Sequence, residues 1–375
     1  MQARYSPWWM PTALILLCLL SLALGAALVL KKSQAPLSLQ SAGSVDSRVY
    51  EWDLVTSWPK NFPGLGTAPE NFARLVGEIS NGRLKVTVHG ANTIVPALGV
   101  FDAVSSGSVE MGHAAAYYWK GKIPAASFFT SVPFGMNVLE HNSWITHGGG
   151  LELWREAYAP HNLIPFPGGN TGIQMGGWYN VEINDISDLK GVKMRIPGLG
   201  GEVFTRAGGT AVTIPSVELY NSLQTGVIDA LEWVGPYNDL SIGFHQVARY
   251  YYYPGWHEPG AALELTVNKQ AYESLPEDLQ AAIKVASLAT NQLMTDEYMA
   301  RSAAALDELK TKYKVDVRPF PESVLRALNK HAEAIYADLS AQDPFFKRVS
   351  EHYFDYKKKV SDYADISEEA YYQLP

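Results

Sequence analysis

A long helical pattern occupies residues 274–314 of the 375-residue chain. Ser274 and Glu277 have the spacing of a capping box at its start, and apolar residues then recur at helical intervals. Roughly 35 residues in a helix extend about 50 Å, which is longer than one lobe of ordinary size. Such a helix must cross two lobes or pack on a partner chain. Further C-terminal helices are predicted within residues 321–363.

Strands and helices alternate in the part of the chain that precedes this helix. Alternating apolar residues predict strands at residues 49–57 and 84–88. Thr67 is a candidate N-cap for the helix between them, and a second helix is predicted at residues 100–106. The strand–helix–strand–helix order predicts an α/β fold.

The chain contains a weak internal repeat. Residues 101–110 and 220–229 both read as a short helix, a glycine, an apolar pair and an acid before a strand. Two similar α/β lobes would explain the echo, although helix–glycine–strand is common enough to recur by chance. We therefore predict two lobes. The first covers residues 48–145 and is completed by part of 234–270; the second covers residues 146–233 and is completed by C-terminal segments.

The N-terminus carries an export signal. Residues 13–30 are apolar and uncharged, and Arg4 precedes them. We expect residues 1–30 to be a cleaved signal peptide, followed by a flexible tether at 31–47 that is rich in Ser, Ala and Gln. The run is also long enough to span a bilayer, so an uncleaved signal anchor is the alternative. Either outcome places the body outside the cytoplasm, in the periplasm.

Composition excludes several functional classes. The only cysteine, Cys18, lies in the export signal, so the body has no disulfide and no thiol nucleophile. The net charge of −8 comes without a basic patch, which argues against binding of nucleic acid. The sequence lacks a dinucleotide fingerprint, a phosphate loop and a nucleophile elbow, so we identify no catalytic residues. Four histidines are interpreted as structural: His113, His141, His147 and His257.

Three polar residues stand in apolar, glycine-rich stretches. Arg195 ends a short alternating strand beside Pro197, where an arginine can clamp a carboxylate, and a surface arginine is the alternative. Glu232 follows Ala230 and Leu231 and needs a partner cation if it is buried. Gln174 has a similar need. A hard cation with oxygen ligands would satisfy both Gln174 and Glu232, and a hydrogen-bonded core pair is the alternative.

These stretches carry a resemblance to a known family. The segments are TSWPKNFPG (56–64), GHAAAYYW (112–119), MGGW (175–178), KMRIPG (193–198), EWVGP (232–236) and YPGWHEP (253–259). Through them the chain resembles the periplasmic solute-binding proteins of tripartite ATP-independent periplasmic (TRAP) transporters, over residues 52–359. It is most similar to the group that binds 2-oxo acids and hydroxy acids such as pyruvate and lactate.

The resemblance implies a type II periplasmic-binding-protein-like fold, in which two lobes close on a ligand and the long helix bridges both. Arg195 would pair with the ligand carboxylate. Gln174, Glu232 and the backbone carbonyl of Trp233 would hold a sodium or calcium ion that bridges to the ligand, with Glu258 as a further metal ligand. The charge of two carboxylates favours calcium. Further polar contacts to the ligand would come from Tyr117, Tyr118, Asn170 and Asn238.

The implied partners are the TRAP membrane subunits and, through a C-terminal helix, a second copy of the chain. The predicted protein is not an enzyme but a receptor that captures a small monocarboxylate. Two alternatives remain at this stage. One is a secreted enzyme that acts on a carboxylate, and the other is a ligand sensor for a receptor kinase.

Overall fold

The computed structural model describes residues 47–375. Within this range, eleven strands form two mixed sheets with the orders β2-β1-β3-β10-β4 and β11-β9-β5-β8-β6-β7. The strands are β1 Tyr50–Thr56, β2 Leu84–His89, β3 Met111–Ala114, β4 Leu163–Asn170, β5 Gly177–Tyr179, β6 Lys193–Arg195, β7 Thr210–Val212, β8 Ala230–Leu231, β9 Tyr250–Tyr253, β10 Ala262–Asn268 and β11 Asp316–Pro319. Each sheet combines parallel and antiparallel pairs. The α/β, two-lobed prediction is confirmed.

Helices cover the two sheets and connect them. In chain order they are α1 Thr67–Ile79, α2 Val100–Ser105, α3 Val138–His147, α4 Gly150–Tyr158, α5 Gly198–Arg206, α6 Leu219–Gln224, α7 Pro236–Ile242, α8 Lys269–Glu273, α9 Glu277–Thr311, α10 Glu322–Gln342, α11 Pro344–Ala364 and α12 Glu368–Tyr372. None of the helices in this part of the chain is both long and apolar enough to cross a bilayer. The predicted export segment at 1–30 lies outside the described residues, as does the tether at 31–47 except for its last residue.

The long helix α9 braces both sheets. It packs against β4 and α1 on the side of the first sheet and against α7 at its other end. Leu309, near its C-terminus, joins an apolar cluster that contains Trp178 and Tyr251 of the second sheet. The helix therefore crosses both lobes, as its length predicts.

Two predicted helix starts are wrong in detail. Pro276, not Ser274, is the N-cap of α9, and no side chain caps the helix there. The Ser274 hydroxyl instead donates to the carbonyl of Ala271, at the end of α8. Gly66 is the N-cap of α1, and Thr67 is its first helical residue. In both cases the N-cap residue has no hydroxyl group, although the residue spacing predicted a serine or a threonine at this position.

The internal repeat corresponds to one unit in each sheet. Gly107 and Gly226 follow α2 and α6 with positive φ angles of 77° and 72°. A glycine adopts this left-handed backbone without the steric penalty of a Cβ atom. The strands that follow are β3 in the first sheet and β8 in the second. The internal repeat therefore corresponds to equivalent helix–turn–strand units in the two lobes.

The predicted start of the second lobe at residue 146 is wrong. Strand β4, at Leu163–Asn170, belongs to the first sheet, where it pairs antiparallel with β10. The second sheet begins only with β5. Because β4 and β10 are far apart in sequence, no local pattern shows that they pair. The chain therefore first leaves the first sheet after residue 170 and re-enters it at β10.

Each lobe buries one carboxyl group that accepts hydrogen bonds from a tryptophan and a tyrosine. Asp239 is fully buried beside the second sheet, and Glu264 is equally buried within β10. The donors to Asp239 are Trp178 Nε1 at 2.9 Å and Tyr251 Oη at 2.7 Å, and those to Glu264 are Trp119 Nε1 at 2.7 Å and Tyr158 Oη at 2.6 Å. Burial raises the pKa of Asp239 to about 7 and that of Glu264 to about 7, although these donors oppose the shift.

The free energy of unfolding is expected to fall between about pH 4 and pH 7. Over this range the folded protein keeps protons on Asp239 and Glu264 that the unfolded chain has released, so rising pH favours unfolding. Each group contributes a slope of up to about 1.4 kcal/mol per pH unit. Urea unfolding across this range checks the expectation: Asp239→Asn and Glu264→Gln should each show a shallower decline than the parent. Parallel pH profiles for parent and variants would contradict it.

Candidate functional site

Arg195 lies on an internal strand of the second sheet, next to its edge strand β7, and is buried. Strand β6 pairs with β7 on one side and β8 on the other, with Arg195 opposite Val212 and Leu231. Arg195 is the last residue of β6, so its side chain leaves the sheet at the strand's carboxyl end. Its side chain is 1% exposed. The alternative of a surface arginine is therefore wrong, and the burial of a guanidinium calls for a charged partner.

Glu232 is that partner. The Arg195 Nη1 atom forms a close ion pair with Glu232 Oε1 and donates to the Glu232 backbone carbonyl at 2.8 Å. The Arg195 carbonyl in turn accepts from the Glu232 amide at 3.1 Å. Burial acts to lower the pKa of Arg195, but the charges of Glu232 and of its neighbours Tyr118, Tyr117 and Glu258 together outweigh it, so the pKa is raised above its usual value. Arg195 is therefore charged at any physiological pH.

Gln174 is hydrogen-bonded to a second buried carboxylate, that of Glu258. Its Nε2 atom donates to Glu258 Oε2 at 2.8 Å and to Thr171 Oγ1 at 3.2 Å. Its Oε1 atom is buried and has no hydrogen-bond partner among the described residues. An unpaired buried amide oxygen costs about 1–3 kcal/mol, so this atom is expected to have a partner that the polypeptide does not supply.

Three buried side chains form a group that could hold a metal ion. They are Glu232, His257 and Glu258, whose ligand atoms lie within 4.8 Å of one another. His257 Nε2 lies 3.1 Å from Glu232 Oε2. Burial, and then the charge of Glu232, raise the pKa of Glu258 well above its usual value. Two carboxylates and the unpaired oxygen of Gln174 are the ligand types that a hard cation takes, so the residues fit a sodium or calcium ion.

His257 is the residue of this group that the sequence analysis does not place at the site, and its Nε2 atom contacts Glu232 instead of offering an oxygen ligand. It was interpreted as structural because no second histidine stands at a metal-ligand spacing. The available signal was its position directly before Glu258 in the segment YPGWHEP. The remaining predicted metal ligand, Trp233, follows Glu232 directly and is 5% exposed.

Tyr117 and Tyr118 approach the site from the first sheet, in the turn that follows β3. Their rings meet edge to face with centroids 4.9 Å apart. Burial raises the pKa of Tyr117 well above its usual value and that of Tyr118 to about 12. Both hydroxyl groups are thus protonated at neutral pH and can act as hydrogen-bond donors.

A small cavity lies beside these groups. It is lined by residues of both lobes: Trp58, Leu65, Tyr117, Tyr118, Thr171, Gln174, Trp233, Val234, Ala261 and Leu263. A groove of about 770 Å³, bordered by Lys120 and Glu202, is larger but more open. We place the site in the smaller cavity because two of its lining residues, Gln174 and Trp233, have buried polar atoms without partners.

The two predicted asparagines differ in their surroundings. Asn170 ends β4, and its Oδ1 atom accepts from the Gly172 amide at 2.9 Å, while its Nδ2 atom is buried without a partner among the described residues. Asn238 donates to the Pro63 carbonyl at 2.7 Å and accepts from Tyr298 Oη at 2.5 Å. Asn170 thus has a free donor. Asn238 has both ends of its amide engaged and links α7 to the long helix. Neither asparagine lines the cavity, but Asn170 directly precedes Thr171, which does.

The lobes meet around the cavity. The ring of Trp58, in the loop after β1, lies 6.2 Å from that of Trp233, edge to face. Lys120, after the Tyr117–Tyr118 turn, forms an ion pair with Glu202 of α5. Side chains of the two lobes therefore meet directly around the cavity, and the nearby Arg195, Glu232, Gln174 and Glu258 are all buried.

Comparison with known proteins identifies the family. The family model described as bacterial extracellular solute-binding protein, family 7, matches residues 54–343. The chain belongs to this family. The resemblance to TRAP solute-binding proteins that the sequence motifs predicted is confirmed.

Family 7 relatives of known structure share the fold over most of their length. A TRAP periplasmic solute-binding protein from Pseudoalteromonas atlantica, solved with bound sodium and pyruvate, is 43% identical and has a TM-score of 0.86, covering 88% of this chain and 100% of that one. One from Colwellia psychrerythraea, solved with bound calcium and pyruvate, is 46% identical with a TM-score of 0.85, covering 86% and 99%. A Nostoc protein named monocarboxylate 2-oxoacid-binding periplasmic protein is 42% identical over 85% of this chain and 87% of its own.

Proposed function

We propose that this family 7 protein is the periplasmic receptor of a TRAP transporter and captures a small 2-oxo or 2-hydroxy monocarboxylate, such as pyruvate or lactate, without transforming it. The observation that carries the proposal is the buried set Arg195, Glu232, Gln174 and Glu258 beside a small cavity, with the Gln174 oxygen unpaired. Two TRAP relatives that are 43% and 46% identical to this chain hold pyruvate together with sodium or calcium, which supports a ligand of this class.

A metal ion would balance the charge of the occupied site. Glu232, Glu258 and the ligand carboxylate bring three negative charges, and Arg195 brings one positive charge. Calcium supplies the remaining two, whereas sodium supplies one and requires Glu258 to keep a proton, which its raised pKa allows. We propose that Gln174, Glu232, the Trp233 carbonyl and Glu258 hold the ion, and that calcium is preferred.

The ligand carboxylate would lie against the guanidinium of Arg195. Because Nη1 is engaged with Glu232 and Nε donates to the Ile214 carbonyl at 3.4 Å, the carboxylate would meet the N–H groups of Nη2. The hydroxyl groups of Tyr117 and Tyr118 and the free amide of Asn170 would donate to the remaining ligand oxygens. Asn238 would contribute only by positioning α7.

The proposed mechanism is closure of the two lobes on the ligand. A ligand that contacts both lobes stabilises the closed form relative to the open one, and the TRAP membrane subunits would recognise that form. Cleavage of residues 1–30 would release the receptor into the periplasm. Pairing through the C-terminal helices is also proposed, since Ile366, Tyr371 and Tyr372 are all more than two-thirds exposed there.

A thermal-shift panel tests this function. Pyruvate and lactate should raise the melting temperature in the presence of calcium, because they bind only the folded state, and acetone should not. Pyruvate should then be recovered unchanged in a one-to-one amount. Turnover of pyruvate would favour the alternative of a secreted enzyme. Binding without uptake, when the protein is combined with TRAP membrane subunits in vesicles, would favour the ligand sensor.

A further inference from the structure

The side chain of Trp233 carries a second unpaired polar atom in the cavity. Trp233 is 5% exposed and lines the cavity, and its Nε1 atom is buried without a hydrogen-bond partner among residues 47–375. An indole N–H is a donor only, so an acceptor is missing at this point. The backbone carbonyl of Trp233 does not accept this hydrogen bond, because the indole N–H has no partner at all among these residues.

Buried indoles elsewhere in the described chain show what is expected of this group. Four of them donate to a protein acceptor: Trp58 to His113 at 2.8 Å, Trp119 to Glu264 at 2.7 Å, Trp144 to His352 at 3.0 Å and Trp178 to Asp239 at 2.9 Å. Trp154 is also unpaired, but it lies in the core of the first lobe, stacked on Phe129, and does not line the cavity. Trp233 is thus an unpaired indole that borders the space for a ligand.

The ring of Trp233 is held in place and cannot readily turn to another acceptor. Trp58 and Phe62 contact it edge to face, with centroids at 6.2 and 6.4 Å. The Arg195 guanidinium lies 5.0 Å from its centroid. Contacts on several sides fix the direction of the N–H bond, so the acceptor must come to the indole.

We propose that the Trp233 indole N–H donates a hydrogen bond to an oxygen of the bound monocarboxylate. Trp233 would then serve the site through its side chain as well as through its backbone. This inference rests on the proposed function. It also explains why a tryptophan, rather than another large apolar residue, stands between Glu232 and Val234: an apolar ring would fill the space but leave a ligand oxygen without its donor.

Nuclear magnetic resonance of the indole N–H groups tests the inference directly. In purified protein labelled with ¹⁵N, the Trp233 signal is assigned as the one that Trp233→Phe removes, and Trp154→Phe identifies the control signal. Adding pyruvate with calcium should shift the Trp233 proton downfield and slow its exchange with solvent, while the Trp154 signal stays in place. A Trp233 signal that does not move, in a protein that binds pyruvate by calorimetry, would overturn the inference alone.

Affinity measurements give an independent readout. Trp233→Phe keeps an aromatic ring and the backbone carbonyl, and it should lose about tenfold or more in pyruvate affinity, whereas Trp154→Phe should keep the parent affinity. Propionate, which lacks the 2-oxygen, shows which ligand oxygen is the acceptor: an equal loss points to the carboxylate, and no loss points to the 2-oxygen. If the parent binds no monocarboxylate at all, the proposed function fails together with this inference. Equal affinities of parent and Trp233→Phe for pyruvate would overturn the inference only.

Discussion

Replacing Arg195 with alanine is expected to weaken pyruvate binding by about 2–5 kcal/mol, or roughly thirtyfold to several thousandfold. Two effects combine. The ligand carboxylate loses a fixed pair of donors, and Glu232, which is 0% exposed, loses the cation that neutralises it. Calorimetric titration of parent and variant with pyruvate measures the loss.

Matched variants distinguish the loss of the contact between Arg195 and the ligand carboxylate from general destabilisation of the protein. Arg206→Ala removes an arginine of the neighbouring helix that is 40% exposed and pairs with Asp338, and it should change affinity by less than threefold. Arg195→Lys keeps the charge but not the planar fork, and it should fall between parent and alanine variant. A loss of less than tenfold for Arg195→Ala, in a protein whose folding is verified by circular dichroism, would refute the clamp.

Removing the metal is expected to weaken pyruvate binding by about a hundredfold to a thousandfold. Arg195 neutralises only one of the negative charges of Glu232, Glu258 and the ligand carboxylate. Two remaining like charges about 4 Å apart repel by about 4 kcal/mol at an effective dielectric of about 20, and a bound cation reverses the sign of this effect. Metal and ligand should therefore bind with positive coupling, so that each raises the affinity for the other. Calorimetry on protein stripped with chelator, with and without added calcium, measures the coupling.

The identity of the ion and the site itself are tested separately. Restoration by calcium supports calcium, while restoration by sodium alone makes the identity wrong but leaves the site intact. Glu232→Gln should abolish the response to either ion, and Glu351→Gln, which alters a carboxylate of α11 that is 65% exposed, should keep it. If neither ion changes affinity and Glu232→Gln binds normally, the bridging metal is refuted.

The fold was largely predictable because its strongest signals are local. The 35 residues of α9 carry a helical pattern along their whole length, and the turns at Gly107 and Gly226 repeat the same backbone requirement. The lobe boundary was not predictable. Strand β4 joins the first sheet by pairing with β10, about 100 residues later. The sequence of neither strand indicates which strand it pairs with.

The sequence predicted which residues form the site better than it predicted which of them contact one another. Arg195, Glu232, Gln174 and Glu258 do come together, and family motifs singled them out. That Arg195 pairs with Glu232 depends on the parallel pairing of β6 with β8, which a linear sequence does not show. The engaged amide of Asn238 was missed for the same reason, since its partners are a loop carbonyl and a hydroxyl of the long helix.

The most direct test of the central claim is a calorimetric titration of the calcium-loaded protein with pyruvate. A receptor that closes on a metal-bound 2-oxo acid should bind one pyruvate per chain, bind propionate at least tenfold more weakly because it lacks the 2-oxygen that would reach the metal, and return the pyruvate unchanged. Absence of binding to pyruvate and lactate, or equal binding of pyruvate and propionate with and without calcium, would contradict the account.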